Sequence, residues 1–112
     1  MSSLDRQTLL AALTNHVGRA KGVTARKLVI EICGTWSSGD ERYLRQLVEQ
    51  LRDEGIAVCA DPQAGYHIAA TPDELQASIK FLRQRALTSL RQIRQLKRLA
   101  QPDLGGQRRL LL

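Results

Sequence analysis

Aromatic side chains are scarce in this chain: Trp36, Tyr43, Tyr66 and Phe81 make up 4% of 112 residues. A core must therefore be built from Leu, Ile, Val and Ala, as in small helical domains. Apolar residues reach 43%, enough for one small core and too few residues for two. No apolar run approaches the length that crosses a bilayer, which excludes a transmembrane protein on this reading. The first residues, MSSLDRQTLL, lack a charged-then-apolar export pattern. Three prolines and eight glycines are too few for wholesale disorder. The only cysteines, Cys33 and Cys59, have no CxxC or Cys/His company, so neither structural zinc nor a redox motif is expected. Two reduced, buried, inert thiols in a cytoplasmic protein are the expectation.

Acidic residues are also unevenly missing. The formal net charge is +6, but it is the sum of opposed blocks. Residues 1–30 hold five Lys or Arg against Asp5 alone. Residues 31–75 hold nine Asp or Glu against Arg42, Arg45 and Arg52. Residues 76–112 hold nine Lys or Arg against Asp103 alone. A basic C-terminal third following an acidic middle points to a polyanionic partner, contacted by particular segments rather than by the whole surface.

Hydrophobic spacing sets the elements. Leu4, Leu9, Leu10, Leu13 and Val17 predict a first helix over 4–17, capped by Ser2 or Ser3 and ended by Gly18. Thr24 should cap a second helix with Leu28, Val29 and Ile32 inward, stopped by Gly34. Ser38 with Glu41 has capping-box spacing for a third helix over about 40–54. Its inward stripe is Leu44, Leu47, Val48 and Leu51, and Gly55 ends it. Residues 56–59 and 66–69 read as a β-hairpin around Asp61-Pro-Gln-Ala-Gly. Thr71-Pro72 opens a last helix running to about Ala100, with Asp73 and Glu74 suited to its positive end. The expected organisation is thus a domain over 1–72, a long basic amphipathic helix over 73–101 and a tail over 102–112. The fold class is mainly α with a small β-hairpin and a long C-terminal helix.

The order helix, helix, helix, hairpin, helix resembles a winged helix-turn-helix. Gly22-Val-Thr-Ala-Arg-Lys-Leu is similar to the start of the second helix in small winged-helix regulators. Leu47-Val-Glu-Gln-Leu-Arg-Asp-Glu-Gly-Ile followed by Gly65-Tyr-His-Ile-Ala resembles the third helix and wing of biotin-repressor-like DNA-binding domains. The whole resembles short winged-helix proteins of phages and prophages, over residues 4 to about 70. The resemblance implies binding of double-stranded DNA in transcription or replication control, with the third helix in the major groove. Facing outward there, Arg42, Arg45 and Gln46 are the candidates for base contact, since Arg suits guanine and Gln suits adenine. Candidate phosphate contacts are Lys21, Arg26, Lys27 and Tyr43 near the helix-turn-helix entrance. Arg83, Arg91, Arg94, Lys97 and Arg98 on the last helix join them. Against this stands the acidity of the third helix, with Asp40, Glu41, Glu49, Asp53 and Glu54, and of a wing with Asp61 and no cation.

Leu75, Ile79, Leu82, Ala86, Ile93, Leu96 and Ala100 follow a near-heptad seam with one break at Ser89, widened by Leu87 and Leu90. It can close the core in its first half and pair two chains in its second, so a homodimer is expected. The tail Gln107-Arg-Arg-Leu-Leu-Leu, after Gly105-Gly106, resembles the short peptide by which bacterial proteins bind the replication sliding clamp. Gln107, Leu110 and Leu112 would be its contacts, through apolar pocket insertion and an orienting hydrogen bond. It departs from that pattern in having Arg108 after the Gln and no aromatic near its end. A second function class therefore stays open: a protein-interaction adaptor whose acidic third helix meets a basic partner and whose tail recruits replication machinery. His16 and His67 are isolated, and no nucleophile, base and orienting group assemble from this sequence. No enzyme activity, cofactor, metal or membrane partner is expected.

Overall fold

The computed structural model describes residues 3–100. The tail residues Gln107, Leu110 and Leu112 lie outside the described residues. The chain is mainly helical, with one two-stranded antiparallel hairpin and a long C-terminal helix. Its elements are α1 (Arg6–Leu13), α2 (Ala25–Cys33), α3 (Ser38–Asp53), β1 (Val58–Asp61), β2 (Gly65–Ile68) and α4 (Pro72–Ala100), with a 3-10 turn at Arg19–Lys21.

α1 is shorter than its apolar spacing predicts, and its cap is Asp5 rather than Ser2 or Ser3. The Asp5 carboxylate accepts from the Thr8 amide at 2.8 Å, and the Thr8 hydroxyl accepts from the Asp5 amide at 2.9 Å. This reciprocal pair satisfies two free donors at the helix start. The helix stops at Leu13 because the following residues are drawn to the hairpin. His16 carbonyl accepts from Ile68 N and Gly18 N donates to Ile68 carbonyl, both at 2.8 Å. Val17, expected in the helix stripe, instead forms a parallel bridge with Ile68 and is 45% exposed. Val23 and Tyr66 exchange both backbone bonds, at 2.7 and 2.9 Å. The segment 16–23 thus occupies the free edge of β2.

That edge contact explains two glycines. A Cβ on Gly65, whose φ is +83°, would lie 2.3 Å from the Val23 carbonyl oxygen. A Cβ on Gly22 would lie 2.2 Å from the Ala64 carbonyl oxygen. Backbone meets backbone at both places, which no side chain permits.

α2 begins and ends where its signals stand. Thr24 accepts from the Lys27 amide at 3.2 Å, and Gly34 takes the left-handed conformation at φ 80°. α3 is capped one residue earlier than expected. Ser37, not Ser38, accepts from the Asp40 amide, at 3.1 Å. The predicted return bond from Glu41 is absent because its carboxylate is engaged by the Trp36 indole N–H and by Arg45 at 3.4 Å. The two strands lie nearer the turn than expected, with Val58 opposite Ile68 and Asp61 opposite Gly65. Asp61 draws them there: its carboxylate accepts from the Gln63 and Ala64 amides at 2.8 and 2.9 Å and closes the turn.

The core joins one face of each of α1, α2 and α3 with β1. Leu9, Leu13, Leu28, Val29, Leu44, Leu47, Val48, Leu51 and Val58 are buried together, with Tyr66 and Ile68 packed against them. Packing divides the chain into two compact units, Met1–Ile79 and Lys80–Leu112. The first includes the opening turns of α4. Those turns attach by polar contacts, not by the expected leucines. Ser78, buried, accepts from the Ala60 amide at 3.0 Å, while Leu75 and Ile79 remain more than a third exposed. In the second unit no described residue is buried. It is the bare continuation of a helix and not a second core.

Candidate nucleic-acid interface

The stripe Leu44, Leu47, Val48 and Leu51 is fully withdrawn from solvent, which turns Arg42, Tyr43, Arg45 and Gln46 outward. All four expected contact residues of this helix are exposed. Charge along α3 is mixed. Asp40 and Glu41 stand in its first turn, and Arg42 and Arg45 follow. Arg52 lies among Glu49 and Asp53 in the last turns, where Glu49 and Asp53 have no partner among the described residues.

Part of the acidity that weighed against this helix and the hairpin is answered inside the chain. Glu41 is held by Trp36 and Arg45. Glu54 is held by the Arg6 guanidinium, which pulls its carboxyl below the usual range. In the hairpin, Arg19 grips Asp61 at 2.9 Å. That bond, with the Ala64 and Gln63 amides, holds the Asp61 carboxyl well below the ordinary carboxylate range. These pairs also use cations: Arg6 and Arg19 are occupied, and Arg45 is shared with Glu41. Arg42, Lys21 and Lys27 have no partner among the described residues.

Trp36 is the residue that sequence reasoning passed over. Its ring lies under the Arg26 guanidinium, 4.5 Å from the ring centroid, while its N–H donates to Glu41. Arg26, Trp36, Glu41 and Arg45 therefore form one chain from α2 to α3. Arg26, expected on phosphate, is engaged by an aromatic face that only tertiary packing brings to it. Its exposure leaves its N–H donors available to a second partner.

Lys21 and Lys27 are brought to one place. Both line an open pocket of about 450 Å³ beside the start of α2, with Asn15, His16 and Gln63. His16 is fastened behind it. Its Nδ1 lies 2.8 Å from the Lys21 carbonyl oxygen and its Nε2 lies 2.9 Å from a Glu31 carboxylate oxygen. Expected inside the first helix, His16 instead ties the Lys21 turn to α2. His67 is buried in β2, with Nδ1 3.3 Å from the Gly65 carbonyl oxygen. Cys59 is buried and Cys33 half-buried; both are free thiols, pushed up by burial. Among the described residues no cluster of His, Cys, Asp and Glu can hold a metal ion, and no helix is long and apolar enough to cross a membrane.

In the second unit, Arg83, Arg91, Arg94, Lys97 and Arg98 are all exposed, as is Lys80. At 3.6 residues per turn, Lys80, Arg83, Arg91, Arg94 and Arg98 fall within an arc of about 80°. Lys97 stands beside that arc, toward the apolar stripe. No acidic residue occurs between 76 and 100, so these cations lack neutralising neighbours on their own helix. The spacing was legible in the sequence, but the exposure of the whole segment was not.

No known protein family, curated protein or solved structure matches the chain.

Proposed function

We propose that this is a winged helix-turn-helix protein that binds double-stranded DNA. It would act in the cytoplasm in transcription or replication control, and be of the kind that phages and prophages encode. In this reading α3 is the helix that enters the major groove and the β1–β2 hairpin is the wing. The observation that carries it is the acid-free basic stripe of α4. An exposed row of cations along one helix matches the regular negative charge of a nucleic-acid backbone. The outward placement of Arg42, Arg45 and Gln46 on one exposed face of α3 supports base readout by this helix. Lys21 and Lys27, together at the start of α2, supply backbone contacts that set its register.

The test is polarisation binding to labelled random duplex DNA across a salt series. Wild type should bind with a steep slope. Replacing Arg83, Arg91 and Arg94 with Gln should lower the log–log slope by about 0.9 for each phosphate contact removed. Replacing Arg42 and Arg45 with Ala should reduce the preference for a selected target over random DNA, leaving most of the salt slope. Absence of binding at low salt would sink the proposal.

A second reading is favoured by one observation. The first unit, residues 1–79, holds ten Asp or Glu against eight Lys or Arg. As an adaptor, it would present Glu49 and Asp53 of α3 to a basic protein, and residues 103–112 would engage the sliding clamp or another replication protein. Deleting 103–112 should then abolish clamp pull-down while leaving the domain folded.

A further inference from the structure

We propose that α4 pairs with the α4 of a second copy of this chain, in antiparallel orientation. The exposed apolar stripe needs a cover: Leu82 is 36% exposed, Leu90 55%, Ile93 48% and Leu96 63%. A monomer rarely leaves so long a contiguous apolar row in water. The row could be covered by many partners, but its own pattern selects one.

Read along the seam, the residues are Leu75, Ile79, Leu82, Ala86, Ser89, Ile93, Leu96 and Ala100. The spacing alternates four and three throughout. The sizes are close to palindromic about the centre of the seam. Small Ala86 and Ser89 sit in the middle, flanked by Leu82 and Ile93, then by Ile79 and Leu96. A second copy running the opposite way places Leu82 against Ile93, Ile79 against Leu96 and Ala86 against Ser89. Every large residue but Leu75 then meets another large one, and the small pair at the centre lets the helices approach closely.

Charge decides the orientation. α4 has Asp73 and Glu74 in its first turn and Lys97 and Arg98 in its last. In the antiparallel register the last turn, with Lys97 beside the seam, comes within about one turn of the partner's acidic first turn. A parallel pair would instead stack the cationic ends of both helices and align their dipoles. The macrodipoles oppose in the antiparallel pair and reinforce the same choice. The inference is independent of DNA binding, since it concerns the apolar arc and not the basic one.

The experiment uses the full chain without nucleic acid. Sedimentation equilibrium should give twice the 12.5 kDa chain mass. Orientation is read by cross-linking, with Cys33→Ser in every chain and Cys59 left buried. Chains carrying Leu82→Cys are mixed with chains carrying Ile93→Cys and oxidised. The expected product joins the two different chains. Cross-links only between identical positions would overturn the antiparallel pairing. A monomer at about 100 µM, weaker than any useful self-association, would overturn pairing altogether. Ile93→Asp, in a segment where no described residue is buried, should weaken the dimer by roughly 100-fold or more while leaving the unfolding of the first unit unchanged. Its failure to do so would remove the seam from the interface.

Discussion

Single residues in this protein are constrained most where two backbones meet. Gly65 has positive φ and stands against the Val23 carbonyl, so an added methyl group meets both backbone strain and a collision. Gly65→Ala should lower unfolding free energy by about 2 kcal/mol or more, read by denaturant titration. A change under half of that would show that the edge contact between β2 and residues 16–23 is not held in solution. Asp61 lies at the same turn, its native carboxyl held low by Arg19 and two amides. A group depressed in the folded state stabilises it above the unfolded value, about pH 4, and that stability is lost as pH falls toward the native value. Wild type should therefore lose stability below about pH 4 more steeply than Asp61→Asn, whose amide does not titrate. Parallel acid limbs in the two proteins would remove Asp61 from the account. Pairing of this kind is also why local charge counts mislead here. Glu41, Glu54 and Asp61 are acidic in the sequence but are answered by Arg45, Arg6 and Arg19, two of them from more than 40 residues away.

Elements were legible where a local signal and a buried stripe agree. Thr24 and Gly34 bound α2, Gly55 follows α3, and Thr71-Pro72 opens α4, because each signal acts through a hydrogen bond or dihedral within one turn. Where two local signals compete, the sequence does not choose. Ser37 and Ser38 are both able to cap α3, and the choice follows Glu41, which is recruited by Trp36 instead of closing a capping box on Ser38. Ser37→Ala should cost about 1 kcal/mol and Ser38→Ala only a few tenths. The reverse order, measured by thermal or chemical unfolding, would restore the box at Ser38. α1 shows the opposite failure. Its apolar spacing continues to Val17, yet four backbone hydrogen bonds to β2 involving residues 16–23 outweigh another turn of helix.

Across the whole molecule, a small cored unit is followed by a helix with no core. Leu44→Ala, which empties a fully buried position of the first unit, should cost about 2–5 kcal/mol. Hydrogen exchange should report that loss at amides of α1 to α3, while amides beyond Lys80 keep their wild-type rates. A matching acceleration along residues 80–100 would mean the two units unfold as one. The DNA reading also belongs to this scale. Sequence alone set an acidic middle against a basic end; the folded chain pairs Glu41, Glu54 and Asp61 with arginines and leaves Asp40, Glu49 and Asp53 without an ion pair among the described residues.

What the sequence determined by itself was the helix-rich class, the inward stripes of α2 and α3, the hairpin and the long basic helix. Those depend on periodicity and on residues close along the chain, where three or four positions decide the outcome. Only the tertiary structure decided where α1 ends, which serine caps α3, and which acids remain unpaired. It alone joins Arg26 to Trp36 and gathers Lys21 and Lys27 on one pocket. Each of these is a contest between a local preference and a partner from another element, and its winner depends on distances that a linear pattern does not contain.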